Sequence, residues 1–336
     1  MKSRTKAPLS EEQINSLVKQ QFGPDASCDR PVELTGGWFN TAYLVTIPEH
    51  GIEVVLKVAP PSSAMVHTYE INAMVTEIAS TELLREKTSI PVPKIYGTGF
   101  DHAIIDRDFF FMEKLAGIPW NLVKNKLSNE ARQALQYQVA EFQMQVNSLH
   151  GEWFGSVVVQ DDASIVEKTW YAAFSRFMNW ILNDYARFHV QLPRGWGKVK
   201  ELLGSTATIF DEVTEPRLVD WDLWEGNVFV TGHDTNAPRI TGIIDHERAL
   251  WGDPLMEIMF MNPKQYSIVI GRYKDLLDFD QRSVQVRRAF YNLYFLLIIY
   301  LETYSRKYPF LFSVSIRTFA LFEFKKNLDK IKRLVK

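Results

Sequence analysis

The chain has 336 residues, 46% of them hydrophobic and 23% charged, a make-up that excludes intrinsic disorder and gives length enough for two lobes. Lysine and arginine number 38 against 40 aspartates and glutamates, so the formal charge of −2 excludes a global positive field for nucleic acid. The single cysteine, Cys28, excludes an intramolecular disulfide framework and reads as a buried spectator.

The start, Met1-Lys-Ser-Arg-Thr-Lys6, leads into no apolar segment, so no secretory signal is expected and the protein is placed in the cytoplasm. Ser10-Glu-Glu-Gln13 has the form of a capping box, and Ile14, Leu17, Val18 and Phe22 repeat at helical spacing up to Gly23. Two strand-like runs follow, Thr41–Ile47 and Ile52–Val58, around the turn Pro48–Gly51. A helix is expected from about Ala64 to Glu86, before Pro91 and Pro93, and another strand at Phe109–Met112, broken by Gly117-Ile-Pro119. Ser128 then caps a helix whose apolar face is Ala131, Leu135, Val139, Phe142, Val146 and Leu149, lasting to Gly151. His150 reads as a helix-end residue. Beyond it the pattern is helical apart from one hairpin. Asp253-Pro254 opens a helix through Phe260. Ala289–Leu301 falls short of the roughly 20 residues that span a bilayer and reads as a buried core helix, and the basic tail Lys325–Lys336 as a solvated surface helix. A strand-rich first third, residues 1–113, is thus followed by a helix-rich remainder, 114–336.

The hairpin carries the strongest chemical signal. Leu218-Val-Asp-Trp-Asp-Leu-Trp-Glu-Gly-Asn-Val-Phe-Val230 and Gly242-Ile-Ile-Asp-His-Glu-Arg248 bring together Asp222, Asn227 and Asp245. Asp222 and Asn227 stand five positions apart, as do the base and a metal ligand in the kinase pattern H-R-D-x-x-x-x-N. Asn227 offers a carbonyl oxygen and Asp245 a carboxylate, the hard ligands magnesium prefers, while Asp222 is free to accept a hydroxyl proton. Lys57 lies among apolar residues on its strand, either at an edge reaching water or held on an anion. In the kinase pattern it touches the α- and β-phosphates and pairs with a helical glutamate, here Glu77, with Glu70 and Glu82 as alternatives on the same expected helix. Gly36-Gly37 is either a plain turn or a loop that lets backbone amides approach a phosphate.

These motifs run in order with Ser89-Ile-Pro-Val-Pro-Lys-Ile-Tyr-Gly97, Phe111-Met-Glu-Lys-Leu-Ala-Gly117 and Leu149-His150…Phe154-Gly155. Together, from about Gly36 to Phe260, they resemble the aminoglycoside phosphotransferase family, the small-molecule branch of the protein-kinase-like fold. The resemblance implies an α+β, bilobal architecture with a small antiparallel-sheet N-lobe and a larger, mainly helical C-lobe. It implies an enzyme that uses ATP or GTP with Mg²⁺ to phosphorylate a small-molecule hydroxyl, acting as a monomer or homodimer with neither nucleic acid nor membrane as partner. Asp222 matches the catalytic aspartate, Asn227 and Asp245 the magnesium ligands, Lys57 and Glu77 the phosphate-holding pair, Gly36 and Gly37 the phosphate-covering loop, and Met112, Glu113 and Leu115 the adenine hinge.

Two departures stand out. Asp220-Trp221 occupies the place of the family's usual His-Gly, and a second carboxylate so near Asp222 is expected to raise its pKa. Trp224-Glu225 replaces the common His-Pro and is read as shaping the substrate side. Asp220 is also the one support for an alternative reading, a nucleotide-binding pseudokinase without transfer activity. A protein kinase is disfavoured by the absence of an Ala-Pro-Glu segment after Asp245. The acceptor is left open: the last twelve residues hold six bases and only Asp329 as an acid, which suits a polycation poorly, and the aromatics between Trp170 and Trp196 and between Phe290 and Tyr304 suit an apolar or sugar-ring substrate or simply form core.

Overall fold

The computed structural model describes residues 5–37, 39–161, 164–261, 265–274, 276–306 and 308–336. Trp38 of the Gly36-Gly37 loop and the first four residues of the charged N-terminus lie outside that set.

Helix α1 (Glu11–Phe22) begins at the expected box: Ser10 Oγ accepts from Gln13 N and Gln13 Oε1 from Ser10 N. Strands β1 (Asp29–Leu34), β2 (Thr41–Ile47) and β3 (Ile52–Val58) precede α2 (Ala73–Lys87), β4 (Ile95–Gly99) and β5 (Phe109–Glu113). The strands form an antiparallel sheet in the order β1-β2-β3-β5-β4, with β3 at its centre. Side chains alternate along β3. Val54, Leu56 and Val58 face the cluster that includes Ile14, Leu17 and Val18 of α1, while Val55 faces the cluster of Met74, Phe110 and Met112. Lys57 shares the parity of Val55 and therefore points toward α2. A central strand disposes of the strand-edge reading: Lys57 is only 9% exposed.

The helix expected from Ala64 starts nine residues late. Between β3 and α2 the chain makes a 3-10 turn at Thr68–Glu70, and Asn72, at φ 62°, sets the start of α2. That segment spends its polar groups on the C-lobe instead of on itself. Thr68 N and Oγ1 both donate to Asp184 at 2.7 Å, Tyr69 OH donates to Glu302 at 2.5 Å, and Arg306 pairs with Glu70.

The C-lobe opens with β6 (Ile118–Pro119), α3 (Trp120–Val123) and α4 (Asn129–Ser148), the last capped by Ser128. There follow β7 (Phe154–Ser156), β8 (Val166–Glu167), α5 (Trp170–Arg187), α6 (Trp196–Ser205), α7 (Ala207–Phe210), β9 (Arg217–Val219), β10 (Val228–Thr231), β11 (Arg239–Ile243) and β12 (Leu250–Gly252). The chain ends with α8 (Ser267–Tyr273), α9 (Arg282–Ser305) and α10 (Phe310–Val335). Beyond the β10–β11 hairpin, which β6 joins, the expected all-helical pattern is corrected by a second sheet, β8-β7-β12-β9. Its two- and three-residue strands are too short to show a period of two.

Three smaller readings change as well. His150 lies past the end of α4 and bridges to Arg217. The helix expected from Pro254 is a pair of 3-10 turns, because Glu257 is extended (φ −54°, ψ 137°) and turns its side chain into the core. The basic tail is not wholly solvated: Phe324, Leu328 and Ile331 of α10 pack in the same buried cluster as α9, whose Ala289–Leu301 stretch is core as expected. Cys28 is half-buried, and burial with Asp29 and Glu11 nearby pushes its thiol up to about 11. Among the described residues no helix is long and apolar enough to cross a membrane.

Candidate active site

The lobes meet at Lys57. Its Nζ lies 2.6 Å from Glu77 Oε2 on α2 and 2.6 Å from Asp245 Oδ1, just past β11. Glu247 Oε2 is 3.8 Å away and also accepts from Asn40 Nδ2 at 3.0 Å, which ties the β1–β2 loop to the same cluster. Burial pulls the Lys57 ammonium down, but Asp245, Glu77 and Glu247 more than offset it and hold its pKa above the ordinary value. Burial acts upward on Asp245, and Lys57 overcomes it, so that carboxyl sits below its usual range. Glu77 is the helical partner; Glu70 is bound to Arg306 instead.

Asp222 stands on the loop between β9 and β10. Asn227 Nδ2 reaches back to Asp222 O at 3.0 Å and to Oδ2 at 3.5 Å, which closes the five-residue interval into a small ring. Ile244 N donates to Asn227 O at 3.0 Å, and Val228 pairs with Ile243, so the hairpin register sets Asp245 beside this loop. Trp221, before Asp222, and Asp245 both adopt positive φ, 60° and 73°, conformations that non-glycine residues hold only where their surroundings impose them. For Trp221 the imposing group is Glu257. This fully buried carboxylate accepts from the backbone N–H of Asp220 and of Trp221, both at 3.0 Å, and from Gln143 Nε2 and Asn147 Nδ2 at 2.6 and 3.1 Å.

Asp220 has its own partner. His246 Nδ1 lies 3.1 Å from Asp220 Oδ1, and the two residues are 1% and 3% exposed. Burial lowers the His246 imidazole, yet Asp220 outweighs it and holds the group above its usual value. The carboxyl of Asp222 is pushed up to about 7, first by burial and then by Asp245 and Asp220, against the pull of Arg248. Asp220 therefore acts in the expected direction, but behind burial and Asp245. Arg248 Nε is 4.0 Å from Asp222 Oδ2, and its guanidinium also reaches Glu302.

The remaining expected residues lie around this centre. Gly36 and Gly37 turn between β1 and β2 with ordinary φ. A Cβ on Gly36 would meet nothing within 4 Å, and one on Gly37 only Asn40 O at 3.9 Å. Met112 and Glu113 end β5 where it leaves the N-lobe sheet, Glu113 N donating to Lys94 O at 2.8 Å. Leu115 covers Gly242, where any Cβ would strike it at 2.2 Å. Sequence reasoning did not single out His246, Glu247, Arg248, Glu257 or Glu302. The first three follow Asp245 directly, and their adjacency was the available signal. Glu257 and Glu302 are brought in by folding alone.

As for a cation, Asn227 uses its amide nitrogen on Asp222, which leaves its carbonyl oxygen as the ligand end. Carboxylate oxygens of Glu77, Asp245 and Glu247 lie within 4.8 Å of one another. The Lys57 ammonium already sits among these three, so the donors that fit a hard divalent ion such as Mg²⁺ are the carbonyl oxygen of Asn227 and a carboxylate oxygen of Asp245.

A family model described as phosphotransferase enzyme family matches residues 31–264, well over half of the chain. The chain belongs to that family. Solved structures of phosphotransferases share its fold across nearly their whole lengths. A thermostable mutant of aminoglycoside phosphotransferase APH(4)-Ia, in ternary complex with AMP-PNP and hygromycin B, has a TM-score of 0.64 at 16% identity, covering 94% of this chain and 98% of its own. The GDP complex of wild-type aminoglycoside 2'-phosphotransferase-IIIa gives 0.60 at 19%, covering 96% and 99%. The gentamicin complex of APH(2")-IIa gives 0.58 at 18%, covering 96% and 97%. No curated protein matches the chain. The kinase-like, bilobal reading of the fold thus stands, and the family makes this phosphotransferase a small-molecule kinase.

Proposed function

We propose that the protein transfers the γ-phosphate of ATP, with Mg²⁺, to a hydroxyl of a small molecule. The observation that carries this reading is Lys57 bridging Glu77 and Asp245 across the lobes, with Asp222, its carboxyl raised to about 7, on the neighbouring loop. Lys57 would hold the nucleotide phosphates, and the space over Gly36 and Gly37, which the fold itself does not need, leaves their backbone free to approach them. Asn227 and Asp245 would hold the ion, which when bound spreads the charge of the transferring phosphoryl group. Met112, Glu113 and Leu115 would border the base where β5 leaves the N-lobe, taken here as residues 1–113, for the C-lobe, 114–336.

Asp222 accepts the proton of the acceptor hydroxyl as its oxygen bonds to the γ-phosphorus. The bond from that phosphorus to the β-phosphate oxygen breaks and its electron pair leaves with ADP, while Arg248 pulls against the burial that raises the Asp222 carboxyl. The test is transfer of labelled γ-phosphate from ATP to an accepted acceptor by wild type and Asp222→Asn. Loss of transfer with ADP binding retained is expected; wild-type turnover by the variant would remove Asp222 as the base.

The pseudokinase alternative rested on Asp220 alone. With His246 as its partner, Asp220 has a use that leaves Lys57, Asp222, Asn227 and Asp245 intact.

A further inference from the structure

Beside Asp222 the C-lobe opens into a pocket between α5, α9 and the segment before α2. Its walls are aromatic: Tyr69, Phe177, Trp180, Trp221 and Tyr294, with Arg248 linking it to the Asp222 carboxylate 4.0 Å away. Trp221 lies stacked on Tyr294, ring centres 5.3 Å apart and 16° from parallel. The Arg248 guanidinium sits over the rings of Tyr69 and Trp221 at 5.1 and 5.9 Å.

Among the described residues lining this pocket, Glu247 and Arg248 are the only ones that carry charge, and both are already engaged. Glu247 faces Lys57 and Asn40; Arg248 faces Glu302 and Asp222. Nearby, Asp161 accepts from Asn72 Nδ2 at 3.1 Å, and Glu302 accepts from Tyr69 OH. What the pocket does leave open is two donors. Trp221 Nε1 and Arg248 Nε are buried and make no hydrogen bond among the described residues, Arg248 Nε having only Asp222 Oδ2 at 4.0 Å, and Trp221 as a whole is 3% exposed. A buried donor without an acceptor is costly, and an oxygen brought by a ligand removes that cost. Asn72, Thr76 and Ser156 add neutral polar groups to the lining.

We propose that this pocket receives the acceptor and that the acceptor is a neutral sugar or cyclic polyol. Such a ring lays its carbon-bound face on the aromatic walls, gives an oxygen to Trp221 and Arg248, and turns one hydroxyl toward Asp222. Among the described lining residues a polycation finds one carboxylate, Glu247, which already faces Lys57 and Asn40, and it would bury its ammonium groups beside Arg248. The acceptor class proposed here thus differs from the gentamicin and hygromycin B bound by two of the fold relatives. The proposal rests on the phosphotransfer reading above, with the same bond changes at the γ-phosphorus.

The full-length protein with Mg²⁺ and γ-labelled ATP is offered D-glucose, D-ribose, myo-inositol and methyl glucoside in one set, kanamycin and gentamicin in another. Label is expected on at least one neutral compound and on neither aminoglycoside. Trp221→Phe, which keeps the ring and removes the donor, is expected to raise KM for that acceptor about tenfold with KM for ATP unchanged. Label on an aminoglycoside, no label on any neutral compound, or an unchanged acceptor KM in Trp221→Phe would each overturn the substrate class. Asp222→Asn separates the two readings. Continued transfer to the sugar in that variant sinks the base assignment and leaves the class standing; transfer to kanamycin that Asp222→Asn abolishes does the reverse.

Discussion

The two sides of Asp222 are built in opposite ways. Toward the nucleotide side, charges meet in a dense cluster, with Lys57 in contact with Glu77 and Asp245 and close to Glu247. Toward the pocket, the walls are rings, and the few charges are balanced among themselves. The first side is made of groups that are costly unless a partner completes them, since removing one member of a buried ion pair leaves the other uncompensated. The second is mainly apolar surface, in which Trp221 Nε1 and Arg248 Nε are the donors left to a ligand. On the reading proposed above, phosphoryl transfer belongs to the first side and the choice of acceptor to the second.

This contrast can be broken most sharply at the base. Asp222→Asn should lower transfer by roughly 10²–10⁴-fold while leaving the affinity for ADP unchanged, read by labelled transfer and by calorimetry. An equal loss in both would mean that Asp222 belongs to the nucleotide side. The same carboxyl sets the pH response. Since it is raised to about 7 and works as a base only when ionised, kcat/KM should fall about tenfold per pH unit below about 7 and level off above it. A profile flat from pH 5 to 8 would assign the proton to another group. On the proposed nucleotide side, Asp245→Ala frees Lys57 from one carboxylate and removes one of the two proposed oxygen ligands. Its affinity for Mg·ATP should drop about 10–100-fold in a titration, with a smaller change for metal-free ATP. Equal weakening of both would show that Asp245 acts on Lys57 and not on the ion.

The same contrast explains what was legible in the sequence. Lys57, Asp222, Asn227 and Asp245 sit in short runs whose spacing and flanking apolar strands are visible in one dimension, and the strands β2, β3 and β5 fall within a residue of their expected bounds. The pocket walls were legible only as aromatic-rich stretches, 170–196 and 290–304, with nothing to tell wall from core. Tyr69, Phe177, Trp221 and Tyr294 come from four distant stretches, and an aromatic on a helix reads as core until folding shows which face stays open. The late start of α2 was hidden for a related reason. Helical spacing from Ala64 is genuine, but Asp184, Glu302 and Arg306, all more than a hundred residues away, offer Thr68, Tyr69 and Glu70 better partners than a helix would. Glu257 was equally silent: a glutamate in an apolar run marks neither its burial nor the two backbone amides it holds.

The smallest expected effect bears on how the two sides are joined. Asp220 belongs to the loop that carries Asp222, and His246 follows Asp245, so their hydrogen bond ties the segment of the proposed base to that of the proposed ion ligand. The pair is buried, and among the described residues His246 Nε2 has no partner, so the bond to Asp220 is what orients the imidazole. If the pair acts as one unit, its members cannot contribute independently. Asp220→Asn keeps an acceptor oxygen for Nδ1–H and should be mild; Asp220→Leu and His246→Leu should each destabilise the protein, while the double variant loses less than their sum by about 0.5–3 kcal/mol. Denaturant unfolding of the four proteins measures that coupling without any nucleotide. Strict additivity would mean that the loops are held only by Glu257 and the hairpin, and that Asp220 and His246 are neighbours without a shared task.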